Sequence, residues 1–134
     1  MSGYARASSL AAYQSAAAHG GVAAADPHRL TLMLMDGALE RISTARGCMQ
    51  RSDMVEQSRL LHRAVSIIGE LRASLDMGAG GSIAANLGDL YDYMCRRLLK
   101  AAGENRIELL DEVIRLLQEI RSAWVAIAPQ ARRR

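Results

Sequence analysis

Asp89 and Asp92, three residues apart, are the nearest approach in this 134-residue chain to a catalytic carboxylate pair. Two carboxylates one helical turn apart could divide general acid and base work between them. They stand opposite the apolar positions of their own segment, which predicts a solvated helix face instead. The histidines His19, His28 and His62 are scattered, and no Glu-x-x-His pair of the kind that builds di-iron bundles occurs anywhere. Zinc-ligand spacing is missing too. Cys48 and Cys95 form no C-x-x-C motif and have no basic partner that would activate a thiol, so they read as buried and inert. Gly78-Ala79-Gly80-Gly81 lacks the Gly-Lys-Ser/Thr ending of a phosphate loop and reads as a connector. No enzyme is visible, and no metal or other cofactor is expected.

Partner chemistry is bounded in the same way. The net charge is +3, and Arg132, Arg133 and Arg134 account for all of it. Arg59, Arg63, Arg96, Arg97, Arg115 and Arg121 are spread over three segments among acids, whereas a nucleic-acid reader concentrates its basic residues on one element. No nucleic acid is expected. No apolar run approaches the roughly 20 residues of a membrane span, and Met1 to Leu10 do not read as a secretory signal. Membrane insertion is therefore not expected, and two unpaired cysteines favour a reducing, cytoplasmic compartment.

Half the residues are hydrophobic, yet the chain has one Trp, four Tyr and no Phe. Its core must come from Leu, Ile, Met, Val and Ala, mostly good helix formers. With only two prolines it lacks the turns of a β-sandwich or barrel. Residues 1–25 are rich in Ala, Ser and Gly and predict a mobile arm with at most a short helix around Leu10 to Ala18. Asp26-Pro27 then combines an N-cap with proline at the first helical position, opening a helix to about Gly47–Gln50. Asp53 with Glu56 is a capping box for a second helix reaching about Met77. Ser82 caps a third, to about Ala102, and Asn105 with Glu108 opens a fourth that ends near Ala128-Pro129. Four helices of similar length with short connections predict an all-α, antiparallel up-down-up-down bundle over 26–128, followed by a basic tail, 129–134. The helical period places Leu34, Ala38, Ile42 and Ala45 in the core, with Leu61, Ala64, Ile68, Leu71 and Leu75 opposite them. It adds Ile83, Leu87, Leu90, Met94 and Leu98 from the third helix, and Leu110, Val113, Leu117 and Trp124 from the fourth.

More apolar surface is present than such a core needs. Leu32, Met35 and Leu39 form a second stripe on the first helix; Leu109, Leu116, Ile120 and Ile127 do so on the fourth. On the third helix the small residues Ala84, Gly88 and Cys95 lead to Leu99. Wide stripes either pack against two neighbours or line a hydrophobic groove for a partner segment.

The order of segments resembles the flagellar export chaperone family, FliS. The resemblance rests on Tyr13-Gln14, Ala25-Asp26-Pro27-His28-Arg29-Leu30 and Met33-Leu34-Met35-Asp36-Gly37-Ala38. It continues through Gly80-Gly81-Ser82-Ile83-Ala84-Ala85-Asn86-Leu87, Leu90-Tyr91-Asp92-Tyr93-Met94 and Arg96-Arg97-Leu98, and ends with Leu110-Asp111-Glu112-Val113, Leu117, Ile120-Arg121 and Trp124. It covers roughly Tyr13 to Ile127. Met35 stands where the family usually has Tyr or Phe.

The resemblance implies a cytoplasmic chaperone that binds the disordered C-terminal region of flagellin, blocks premature polymerisation and presents the client to the flagellar type III export apparatus. It favours the groove reading, with Leu32, Met35, Leu39, Ala84, Gly88, Tyr91, Cys95, Leu99, Leu109, Leu116 and Ile120 as groove residues. Met33, Met35 and Met94 would supply adaptable walls. Leu10, Tyr13 and Gln14 would let the arm act as a lid over that groove. The free protein would be a monomer or weak homodimer. The alternative is a structural bundle that self-associates through its second stripes.

Overall fold

The computed structural model describes residues 26–127, which form four helices and no strand. They are α1 (Pro27–Gln50), α2 (Met54–Ala73), α3 (Met77–Glu104) and α4 (Ile107–Ala126). The expected arm and lid residues Leu10, Tyr13 and Gln14, and the C-terminal tail, lie outside the described residues.

Local chemistry sets most of the boundaries. The Asp26 carboxylate accepts the Arg29 amide at 3.2 Å, and Pro27 follows at a position where no amide hydrogen is needed. Asp53 repeats the cap on α2 by accepting the Glu56 amide. Such caps are worth about 1 kcal/mol each. Between them α1 ends in a left-handed Ser52 (φ 60°), with the Ser52 amide on Met49 O at 3.2 Å and the Asp53 amide on Cys48 O at 2.8 Å. That bond pair is a Schellman ending, and it makes Asp53 the last residue of one helix signal and the first of the next.

Three boundaries differ from expectation. α2 ends at Ala73, not near Met77: the Ser74 amide still reaches Glu70 O at 3.1 Å, but the Ser74 hydroxyl turns back onto Leu71 O and the Leu75 amide onto Arg72 O. Met77 instead opens α3, whose first turn is separated from the rest by Gly81 (φ 56°, ψ −132°), a backbone conformation essentially reserved for glycine. The glycine run is thus partly helical, and Ser82 follows the break. Asn105 does not cap α4. It takes the left-handed position ending α3 (φ 56°), with the Arg106 amide on Ala101 O at 3.2 Å. Arg106 is the residue at the α4 N-cap, without a side-chain cap bond.

Packing runs α1 against α2 and α4, and α3 against α2 and α4. Asp36–Arg121 with Arg46–Asp111, and Val65–Cys95 with Arg72–Asp92, climb one helix while descending its neighbour, and Arg97–Glu112 ties α3 to α4. The result is an up-down-up-down bundle, all-α as expected. Leu34, Ala38, Ile42, Ala45, Leu61, Ala64, Ile68, Leu71, Met94, Leu98, Leu110, Val113 and Leu117 are all buried, while Leu75, Leu87, Leu90 and Trp124 are partly buried against them. Ile83 is the exception: it is 77% exposed. The buried row of α3 runs Ala84, Gly88, Tyr91, Met94, Leu98, Ala101, one residue out of phase with a row beginning at Ile83.

Candidate functional site

The expected groove residues fall on three helix–helix seams and the interior between them. On α1, Leu32 and Leu39 are half-buried and Met35 is fully buried. Leu39 sits between Asp36 and Arg46, both paired to α4, so this stripe follows the α1–α4 seam. The small-residue row of α3 faces α2. A Cβ on Gly88 would stand 3.6 Å from Arg72 Cζ of α2, and the Cys95 thiol donates to Val65 O at 3.8 Å. Ala84 and Gly88 are buried, Cys95 is half-buried and Leu99 is exposed. Burial pushes the Cys95 thiol up to about 11, in line with an inert cysteine. Tyr91 lies in the core, where burial pushes its phenol up to about 12. Of the methionines expected as walls, Met35 and Met94 are fully buried and only Met33 keeps part of its surface. Sequence periodicity gives the direction of a side chain from its own axis, not which neighbour stands there.

The third seam, α3–α4, keeps apolar surface along part of its length. Its lower half is tied by Glu112, which accepts from the Tyr93 hydroxyl and, at 2.8 Å, from Arg97 Nε. Tyr93 and Arg97 together hold the Glu112 carboxyl below its usual range, and the Tyr93 phenol is raised by the same bond. The Arg97 guanidinium also lies 5.4 Å from the Tyr93 ring centre. Beyond this knot apolar side chains continue the row. Ile83, Leu90 and Arg97 are seven apart and share a face of α3, while Leu116 and Ile120 follow Glu112 at four-residue steps on α4. Leu90, Leu116 and Ile120 are half-buried, and the row opens at the bundle end to Ile83 and the 52% exposed Ile127. Leu109 belongs to the same side of α4 but is buried. The upper α3–α4 seam therefore carries half-buried apolar side chains that can bury a partner's apolar residues.

Two further arrangements were not legible from spacing. Asp92, expected on a solvated face, accepts Arg72 Nε at 2.8 Å and ties α3 to α2. His28, buried in the first turn of α1, stacks on Trp124 of α4 with ring centres 4.8 Å apart. Its Nε2 lies 2.7 Å from Trp124 O, and the Trp124 indole N–H donates to His28 O at 3.0 Å. These partners are 96 residues apart, and only the shared presence of a His and the single Trp near helix ends hinted at them. Among the described residues no three His, Cys, Asp or Glu side chains converge as a metal site would require, and no helix is long and apolar enough to cross a membrane.

Comparison with known proteins agrees with the geometry. The family model for the flagellar protein FliS matches residues 9–131. The flagellar secretion chaperone FliSB of Pseudomonas aeruginosa is 46% identical over 116 residues, 87% of this chain and 92% of that protein. The flagellar secretion chaperones FliS of Salmonella typhimurium (42% over 126 residues, 93% of each chain) and Vibrio cholerae (39% over 122 residues, 91% of this chain and 90% of that one) are similar over almost their whole length. This four-helix bundle, matched over most of its length by these proteins, belongs to the FliS family of flagellar secretion chaperones.

Proposed function

We propose that this chain is a cytoplasmic export chaperone whose client is flagellin. It binds the disordered C-terminal segment of flagellin, prevents premature polymerisation and delivers the client to the flagellar type III export apparatus. The observation supporting this reading is the apolar upper half of the α3–α4 seam, where Leu90, Leu116 and Ile120 are half-buried and Ile83 and Ile127 open to the surface. A client segment that folds onto such a seam covers apolar side chains of both partners, and its ordering entropy keeps the complex releasable. Of the other expected contacts, Leu32 and Leu39 follow the α1–α4 seam and Ala84, Gly88 and Cys95 the α2–α3 seam, so a long client would wrap round the bundle. Leu10, Tyr13 and Gln14 are proposed to cover the seam in the free protein and to yield to the client. Neither nucleotide nor metal takes part.

Co-purification with intact flagellin, and with flagellin truncated at its C-terminus, tests the reading. Capture of the intact protein alone is expected; equal capture of both refutes the C-terminal site. Calorimetry at low and high ionic strength adds a second criterion. Apolar burial is weakly screened, so a steep loss of affinity with salt would refute an apolar seam as the main contact. Light scattering with and without the client peptide separates this function from self-association through the same seam.

A further inference from the structure

Arginine–carboxylate pairs cross three of the four seams. Asp36–Arg121 and Arg46–Asp111 join α1 to α4, Arg72–Asp92 joins α2 to α3, and Arg97–Glu112 joins α3 to α4. Among the described residues none crosses α1–α2. That seam instead holds a cavity of about 220 Å³ walled by Glu40, Arg41 and Thr44 of α1 and Arg59, Leu60 and Arg63 of α2. Three guanidiniums thus border one depression. Arg41 is satisfied only through a backbone bond to Gly37 O, and Arg59 pairs within its own helix with Glu56. Arg63 makes no hydrogen bond or ion pair among the described residues, and Glu40 pairs with none of the three. The same α2 face continues to two adjoining apolar side chains, Met54 (54% exposed) and Val55 (84% exposed).

We propose that the α1–α2 seam docks an acidic, amphipathic segment of another protein, whose carboxylates enter between Arg41, Arg59 and Arg63 while its apolar side chains cover Met54 and Val55. Guanidiniums bind carboxylates in paired hydrogen bonds, and a depression with three guanidiniums and one carboxylate, Glu40, in its walls keeps an excess of positive charge for an outside acid. The chain's own ends cannot supply the acidic side chains. Residues 1–25 and 128–134 contain no Asp or Glu, so all the acidic side chains lie within the described residues. The site is separate from the apolar α3–α4 seam, and it stands or falls independently of the flagellin reading.

The probe is a Glu-rich amphipathic helical peptide of about 15 residues, with its Glu→Gln counterpart as control. Binding to the full chain is followed by calorimetry and by amide shifts in two-dimensional NMR spectra. Shifts confined to the cavity residues and the start of α2 are expected, with affinity that falls as salt is raised. Arg41→Glu with Arg63→Glu should weaken binding at least about tenfold, while Arg96→Glu with Arg115→Glu on the far helices should leave it unchanged. The wild-type shift map is informative even if the double variant folds poorly. Equal binding of the Gln peptide, equal loss in both double variants, or shifts spread over the whole surface would overturn the proposal. So would tighter binding of a DNA oligonucleotide through the same arginines. Self-association that Arg41→Glu with Arg63→Glu abolishes, in a protein that does not bind the peptide, would assign the seam to a second copy and overturn it as well.

Discussion

Cutting the His28–Trp124 clasp should cost this bundle a large part of its margin of stability. Each residue uses its side chain to bond the other's backbone carbonyl, at 2.7 and 3.0 Å, and the rings lie nearly parallel at 8°. An intramolecular hydrogen bond contributes about 0.5–1.5 kcal/mol net. Stacking adds about 0.5–1.5 kcal/mol beyond the area it buries. His28→Ala removes one hydrogen bond and the stack, so about 1–3 kcal/mol is expected. For a domain of this size that is a fall in Tm of roughly 4–12 °C. Trp124→Leu should cost a similar amount by removing the other bond and the same stack. Because the stack is shared, the double variant should be less destabilised than the sum of the two, by about 0.5–1.5 kcal/mol. Urea unfolding followed by circular dichroism measures all four corners of the cycle. Additivity within about 0.3 kcal/mol would refute the clasp as a mutual interaction and leave two residues that merely fill space.

Four other outcomes follow from the same geometry. Leu116→Asp places a charge on the open α3–α4 seam and should weaken capture of a flagellin C-terminal peptide at least about tenfold in a fluorescence titration, with the bundle still helical by circular dichroism. Gln57 is only 1% exposed and its Oε1 has no hydrogen-bond partner among the described residues, so Gln57→Leu should stabilise the protein by about 1 kcal/mol in thermal unfolding. The Cys95 thiol, raised from 9.0 to about 11, should carry roughly 100-fold less thiolate than an unfolded thiol below pH 9, so its alkylation at pH 8 should be slow until urea exposes it; rapid native-state labelling would contradict the burial. Deleting residues 1–12 together with Tyr13→Ala should increase self-association in light scattering and change client affinity; no change in either would show that this segment does not cover the seam.

What the sequence reveals depends on how local the deciding interaction is. Asp26-Pro27 and Asp53 with Glu56 are readable because a cap bonds an amide three residues away, inside the same stretch of text. Asn105 misleads for a physical reason: asparagine is favoured at a helix N-cap and also tolerates the left-handed position that ends a helix, and here the Arg106 amide on Ala101 O decides for the second role. Ile83 misleads because a one-residue phase error on α3 rotates a side chain by about 100°. The apolar stripes were visible as stripes, but their destinations were not. Leu39 belongs to the α4 side, Gly88 to the α2 side and Leu116 to the α3 side, and those assignments rest on pairs such as Arg46–Asp111, 65 residues apart. Long-range pairings leave little trace in a single sequence.

The up-down-up-down path also has a practical geometry. Asp26 and Ile127, the outermost described residues, lie at the end of the bundle where His28 touches Trp124, and that is the end where Ile83 is exposed. A tag or fluorescent protein joined directly at Asp26 or Ile127 would therefore crowd the seam proposed to receive a client. The opposite end lies away from the upper α3–α4 seam. Its two tight turns, at Ser52 and at Asn105, stand about 30 Å away along the helices, and a dye attached at Ser52 would report on the folded bundle at a distance from Ile83 and Ile127.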